Sequence, residues 1–247
     1  MPDFLDTSVD ASGVATLTLA RPAQGNALNA TLVDELIAQL AVLAADGPRA
    51  LVLRGEGSGF CGGFDLADLD QQSDGDLLLR FVRIEQLLQA VQYFPAPTIA
   101  LAQKFAWGAG ADLFAACRFR VCDSATRFSF PGARFGLVLG TRRLRALVGV
   151  DAAFRLLQAP SPISAEVAAE TGLASALVDC ADWSAWLDRC LHRLPVIDAT
   201  TQAQLAQRIH GDEQAQDLAA LTISAARPGL QARLIDYRNA ARTMKAE

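Results

Sequence analysis

This 247-residue chain predicts an α/β fold that ends in a helical extension, and three observations carry that expectation. Short runs rich in Val, Leu, Ile and Thr alternate with longer stretches whose apolar residues recur at helical spacing. From Thr141 onward helical patterns dominate, broken by Pro160, Pro162, Pro195 and Pro228. No repeat or low-complexity stretch competes with this reading.

The elements follow in order. Residues 14–20 (VATLTLA) alternate apolar and small polar side chains, as a half-buried strand does, and Arg21 and Pro22 close the run. The polar GNALN of residues 25–29 leads to TLVDELIAQLAVLAA, an amphipathic helix with Thr31 as its expected N-cap. ALVLR (50–54) is a second strand and opens into GSGFCGGFDLADL (57–69), a glycine-rich loop expected to enter a helix at Asp65. Residues 75–92 read as a helix, which Pro95 and Pro97 terminate. TIALA (98–102) is a third strand, WGAGADLFAAC turns helical near Gly110, and FRVCD (119–123) is strand-like. RFSF reads as a short strand or loop, and residues 228–245 form an amphipathic helix with Leu230, Leu234, Tyr237 and Ala241 on one face.

Bulk properties exclude several function classes. A chain of this length buries about 70–75% of its unfolded surface. With 51% hydrophobic residues, it either has a large core or spends apolar surface in subunit contacts. Apolar runs fall short of a membrane span, and MPDFLDTSVD lacks a basic-then-apolar export pattern. Five scattered cysteines (61, 117, 122, 180 and 190) without CxxC spacing fit a reduced, cytoplasmic setting rather than a metal site or disulfide framework. A net charge of −5 with no Lys/Arg block argues against nucleic acid as a partner.

Two glycine loops share one design: GFCGGFDL and WGAGADLF each follow a strand and lead toward a helix. Bare backbone lets a ligand approach, and the first turn of a helix offers N–H groups without partners. Two such groups converging on one oxygen form an oxyanion hole; the other reading is that the glycines only serve turns. GAGADL has Leu113 where a dinucleotide fingerprint needs glycine, and it lies mid-chain. EGSGF places Glu56 where a nucleophile elbow has its first glycine, so Ser58 is a poor nucleophile. His192 and His210, the two histidines, both lie in the helical tail and are expected on solvated faces.

Taken together, LARPAQGNALN (19–29), RALVLRGEGSGFCGGFDL (49–66) and residues 97–140, in this order and spacing, resemble the enoyl-CoA hydratase/isomerase (crotonase) family over essentially the whole chain. The resemblance implies a crotonase-like spiral of ββα repeats over residues 1–190. It also implies a helical region, 191–247, for trimerisation and for closing the coenzyme A site. The implied ligand is an acyl-CoA thioester in fatty acid metabolism, with coenzyme A as part of the substrate and no separate cofactor. The implied assembly is a homotrimer or hexamer, with no membrane or nucleic-acid partner. Carried onto this chain, the oxyanion-hole N–H groups are those of Phe64 and Ala109, and Ala27, Leu28, Asp65, Leu66 and Ala67 line the acyl-CoA path.

The proton-transfer groups depart from the family pattern. The first of two water-activating glutamates falls at Asp112, one methylene shorter, and the second falls at Gly132 in the same pocket. An acid used by some members a turn later falls at Gly140, and the usual Asn-Gly before the second loop is Gln103–Lys104. Asp112 is open to two readings, an acid/base or a favourable acidic residue in a first helical turn. Arg134, Arg142 and Arg143 are expected near the pocket rim, binding a carboxylate or phosphate or simply solvated. Trp107 and Phe135 are expected to pack, and Cys61 to be a small buried residue. Three functions follow. The chain is an enolate-stabilising hydratase/isomerase-type lyase or isomerase, or it runs another reaction on the same scaffold (isomerisation, decarboxylation or thioester hydrolysis), or it is an acyl-CoA binder without chemistry.

Overall fold

The computed structural model describes residues 4–246. Among the described residues, nine strands make two sheets. The larger takes β1 (Leu5–Val9), β2 (Val14–Leu19), β3 (Ala50–Gly55), β4 (Thr98–Ala102), β6 (Phe119–Cys122) and β9 (Ala176–Leu177) in the order β1-β2-β3-β4-β6-β9. Only β1 and β2 are antiparallel; every other neighbour in this sheet is parallel. The smaller sheet is β5 (Phe105–Trp107), β7 (Arg127–Ser129) and β8 (Ile163–Ser164). Ten α-helices are found among the described residues: α1 (Ala30–Asp46), α2 (Asp74–Gln92), α3 (Ala109–Ala116), α4 (Thr141–Val148), α5 (Val150–Leu157), α6 (Ala165–Glu170), α7 (Trp183–Arg193), α8 (Ala199–His210), α9 (Gln214–Ala225) and α10 (Leu230–Ala246).

The strand pattern follows from burial. TIALA shows no polar alternation because β4 is central in a parallel sheet and every one of its residues is buried. Leu17, Leu51 and Leu53 face α1, α2 and α3 in one core, whereas Val14, Val52, Ile99, Leu101 and Val121 face Trp183, Trp186 and Leu191 of α7 in another. The sheet is thus covered on both faces, as a two-sided apolar strand requires.

Two sequence expectations are corrected locally. The N-cap of α1 is Asn29, not Thr31: its side chain accepts from the Leu32 N–H at 2.9 Å, so the helix begins one residue before Thr31. The first glycine loop does not enter a helix at Asp65. The Asp65 carboxylate is held by Arg21 at 2.9 Å and by the Ala67 N–H at 3.0 Å, and Asp68 takes φ +53. After one 3-10 turn at Leu69–Gln71, α2 starts with a capping box between Ser73 and Asp76.

The tail folds back on its own chain. Leu230 and Leu234 of α10 and Leu221 of α9 join Leu69, Phe81, Phe135 and Leu137 in a third core, against which Phe64, Leu66 and Tyr237 pack. The expected apolar face of α10 is therefore real, and it covers the segment that carries Phe64. Among the described residues, no helix is long and apolar enough to cross a membrane.

Candidate active site

The first loop is held from beneath by polar side chains. Asn26, at φ +56, donates through Nδ2 to the carbonyls of Glu56 and Gly59, each at 2.9 Å, and accepts from the Arg21 N–H. Gln103 Nε2 donates to the Gly55 carbonyl at 2.8 Å. Lys104 carries φ +57, so this L-residue occupies a left-handed position that glycine would fill without strain. Cys61 is fully buried, as expected, with its thiol donating to the Asn26 carbonyl at 3.2 Å, and desolvation pushes the thiol up to about 12.

The two glycine loops then meet backbone to backbone. Cys61 bridges Ala106 in parallel, with the Trp107 N–H donating to the Cys61 carbonyl at 2.9 Å. A Cβ on Gly110 would lie 2.8 Å from the Cys61 Cβ, and one on Gly63 (φ +80) would overlap the Trp107 carbonyl oxygen and lie 3.2 Å from the Ala109 nitrogen. Only glycine permits this contact at either position.

That contact positions the two expected donors. Leu28 bridges Phe64 in parallel: the Leu28 N–H donates to the Gly63 carbonyl at 2.7 Å, and the Asp65 N–H donates to the Leu28 carbonyl at 3.2 Å. A parallel bridge of this kind uses the residues flanking Phe64 and leaves its own N–H directed away. Ala109 is the first residue of α3, where an amide has no partner within the helix, and its nitrogen sits beside the Gly63–Phe64 peptide. Around Phe64 the packing is tight. Its ring stacks on Phe81 at 4.2 Å, and the Arg80 guanidinium lies 4.0 Å over it while donating to the Asp65 carbonyl at 2.9 Å. Arg21, buried, ties Asp65 to the Ala27 carbonyl. Ala27, Leu28, Phe64 and Asp65 are thus brought together; Leu66 packs in the third core and Ala67 is exposed.

Asp112 lies one turn into α3, with its N–H bonded to the Gly108 carbonyl at 3.0 Å. Its side chain is buried, at 6% exposure, and makes no hydrogen bond among the described residues. Burial holds its carboxyl well above the usual carboxylate range; the positive charge of Arg143 opposes this shift and Glu85 adds to it. The carboxyl leans on Gly140, where a Cβ would overlap Oδ1 and where φ is +65. Gly132, in the 3-10 turn Pro131–Phe135, would accept a Cβ without a clash instead: it would make ordinary contacts with the Leu137 carbonyl oxygen at 3.5 Å and the Leu137 Cβ at 3.9 Å.

The three arginines expected at the rim are engaged elsewhere. Arg143, 3% exposed, makes a buried pair with Glu85 (2.5 and 2.9 Å) and also donates to Gln92. Arg142 pairs with Asp217 and Glu213, and Arg134 caps the carbonyls of Ala159 and Pro160. His210 is half-buried against Tyr93, not solvated, and burial pushes its pKa down. Trp107 stacks on Phe105 and Phe135 packs on Tyr237. Among the described residues no group of three or more His, Cys, Asp or Glu side chains is placed to hold a metal ion.

With this geometry in hand, likeness to known proteins decides the family. The sequence matches the enoyl-CoA hydratase/isomerase family profile over residues 10–226. The chain belongs to that family. It is 33% identical over 210 residues to a Mycobacterium bovis protein assigned as an enoyl-CoA hydratase, covering 83% of this chain and 82% of that one. A Bordetella parapertussis crystal structure assigned to the enoyl-CoA hydratase/isomerase class superposes with TM-score 0.90 at 42% identity, covering 95% of this chain and 98% of the other. An enoyl-CoA hydratase from Bacillus halodurans, at 18% identity, shares the fold with TM-score 0.82, covering 95% and 100%. The crotonase-type fold is therefore the observed one, and the family is enzymatic and acts on acyl-CoA substrates.

Asn26, Arg21, Arg80 and Phe81 escaped the sequence reading. The polar GN pair before a helix was the available signal for Asn26. The Arg21–Asp65 contact spans 44 positions and left none.

Proposed function

We propose that this enoyl-CoA hydratase/isomerase-family chain binds an acyl-CoA thioester with its carbonyl oxygen between the Phe64 and Ala109 amides. Those donors stabilise the enolate that forms when a proton leaves the acyl chain, and Asp112 is the group that takes and returns that proton. One observation carries the reading: a single buried carboxyl without a hydrogen-bond partner stands one helical turn from an unpartnered amide that a glycine contact holds beside Phe64. Raised proton affinity suits the role, because a carboxylate there takes a proton more readily and holds it until it is returned. One missing donor in such a hole costs about 3–4 kcal/mol of transition-state stabilisation. In this reading coenzyme A belongs to the substrate, no further cofactor is needed, and the setting is cytoplasmic.

Gly132 favours another reaction on the acyl-CoA (isomerisation or decarboxylation through the same enolate, or thioester hydrolysis through a tetrahedral oxyanion in the same hole) over efficient hydration, since a second carboxyl to orient water across the double bond is absent there. The test is incubation with crotonyl-CoA in heavy water, followed by mass spectrometry of the thioester. Deuterium uptake without water gain is expected. Rapid gain of water would move the reading to hydration, and an unchanged ester that nonetheless binds would leave an acyl-CoA binder without chemistry.

A further inference from the structure

A cavity of about 280 Å³ lies against α8, at the opposite end of α3 from Ala109. Its floor is the C-terminal end of that helix, Ala115 to Cys117, and one wall is α8, where Ala206 with Leu205 (41% exposed) and Ile209 (76% exposed) forms an open apolar rim. α3 has eight residues, so at 1.5 Å per residue the cavity lies about 12 Å from the amides assigned to the thioester. It is a separate place.

The charge around it has one sign. In a chain of net charge −5, this cavity is lined by three arginines and His210 and by no Asp or Glu. Two of the arginines are already committed. Arg120 donates to the carbonyls of Leu173, Cys117, Arg118 and Gly172, and Arg143 is bound by Glu85 and Gln92. His210 is pushed toward its neutral form by burial, with Arg142 and Arg143 adding to the effect. Arg118 differs: among the described residues its guanidinium makes no hydrogen bond or ion pair, only a 5.4 Å approach to the Phe119 ring. Gln202 is 7% exposed, lines the cavity, and its side-chain amide makes no hydrogen bond among the described residues. The Gln202 amide is not shut away from solvent, and Arg118 is an exposed residue, so both polar groups are open to a ligand that enters the cavity they line.

We propose that this cavity binds a medium-chain carboxylate, its tail among Leu205, Ala206 and Ile209 and its head group on Arg118, with the Gln202 amide donating to it. Volume sets the class. Pockets for drug-sized ligands run roughly 300–1,000 Å³, so this one takes a short amphiphile and excludes a nucleotide-bearing thioester. Guanidinium recognises carboxylate through paired N–H donors, which makes the head group the specific part of the ligand.

Octanoate is the probe, titrated by calorimetry into the full-length protein, with octanol as the uncharged comparison and crotonyl-CoA present to occupy the other site. Saturable one-to-one binding is expected. Octanol, the Arg118→Gln variant and the cavity-filling Ala206→Trp variant should each weaken it about tenfold or more, with circular dichroism showing both variants folded. Absence of saturable octanoate binding up to millimolar concentration overturns the proposal. So does binding that neither variant alters, which would place the acid elsewhere on the molecule. The measurement needs no turnover, so it stands apart from the proposed reaction.

Discussion

The carboxyl of Asp112 is where the proposed chemistry and the stability of the fold meet. Its folded-state pKa is raised by burial, so between the ordinary aspartate value and that raised value the unfolded chain has already lost the proton while the folded one keeps it. Stability is then fully present below the ordinary value and falls as pH rises through this window. Asp112→Asn should remove the decline: urea unfolding at a series of pH values will show the variant gaining on the wild type as pH rises. The same variant should lose deuterium exchange into the acyl chain by about 100-fold or more, the usual weight of an acid/base. Unchanged exchange would sink its assigned role. The two glycines nearby make opposite predictions. A Cβ at Gly132 would meet only ordinary contacts and φ there is not left-handed, so Gly132→Glu should fold and add water to crotonyl-CoA faster than the wild type. Gly140→Ala should instead lose exchange and stability, because its methyl would displace the Asp112 carboxyl from a position that φ +65 reserves for glycine. A Gly140→Ala protein with full activity would show that the carboxyl works from somewhere else.

At the level of elements, α2 and α4 are joined through the buried pair of Glu85 and Arg143, 1% and 2% exposed at their side chains. Removing one partner strands a charge, which typically costs about 3–5 kcal/mol, whereas replacing both by apolar groups is often neutral. Arg143→Met should therefore lower stability by about that amount in denaturant titration, and Glu85→Leu with Arg143→Met should recover most of it. Equal losses in the single and double variants would mean that packing, not the stranded charge, sets the cost. This pair could not be read from sequence, since 58 positions separate its members and charge alone places both at the surface. The helices themselves were legible because their apolar spacing is long and regular, as were β2, β3 and β4. β1 (LDTSV), β8 and β9 were not: they are polar or two residues long, and their pairing is decided by neighbours distant in sequence. The glycine loops were legible as places where backbone approaches something. What each approaches turned out to be the other loop.

At the scale of the whole molecule, apolar surface is the property still unspent. The chain is 51% hydrophobic, and the sheet, the helices over it and the returning tail do not hide all of it. Leu79, Phe154 and Ile223 stand 60%, 59% and 73% exposed on α2, α5 and α9. The accessible surface of 11804 Å² also exceeds the roughly 10,600 Å² that area scaling gives for a compact monomer of this mass. Surface that is both excessive and apolar is what subunit contacts remove, and a face with few charges should resist salt. Static light scattering at micromolar concentration should therefore return three or six times the 26.3 kDa chain mass, unchanged between low and high salt. Ile223→Asp, which sets a charge at an exposed apolar site on α9, should lower that mass while leaving the far-UV circular dichroism intact. A wild-type mass of one chain would overturn the expected trimer or hexamer and show that the exposed residues serve no assembly.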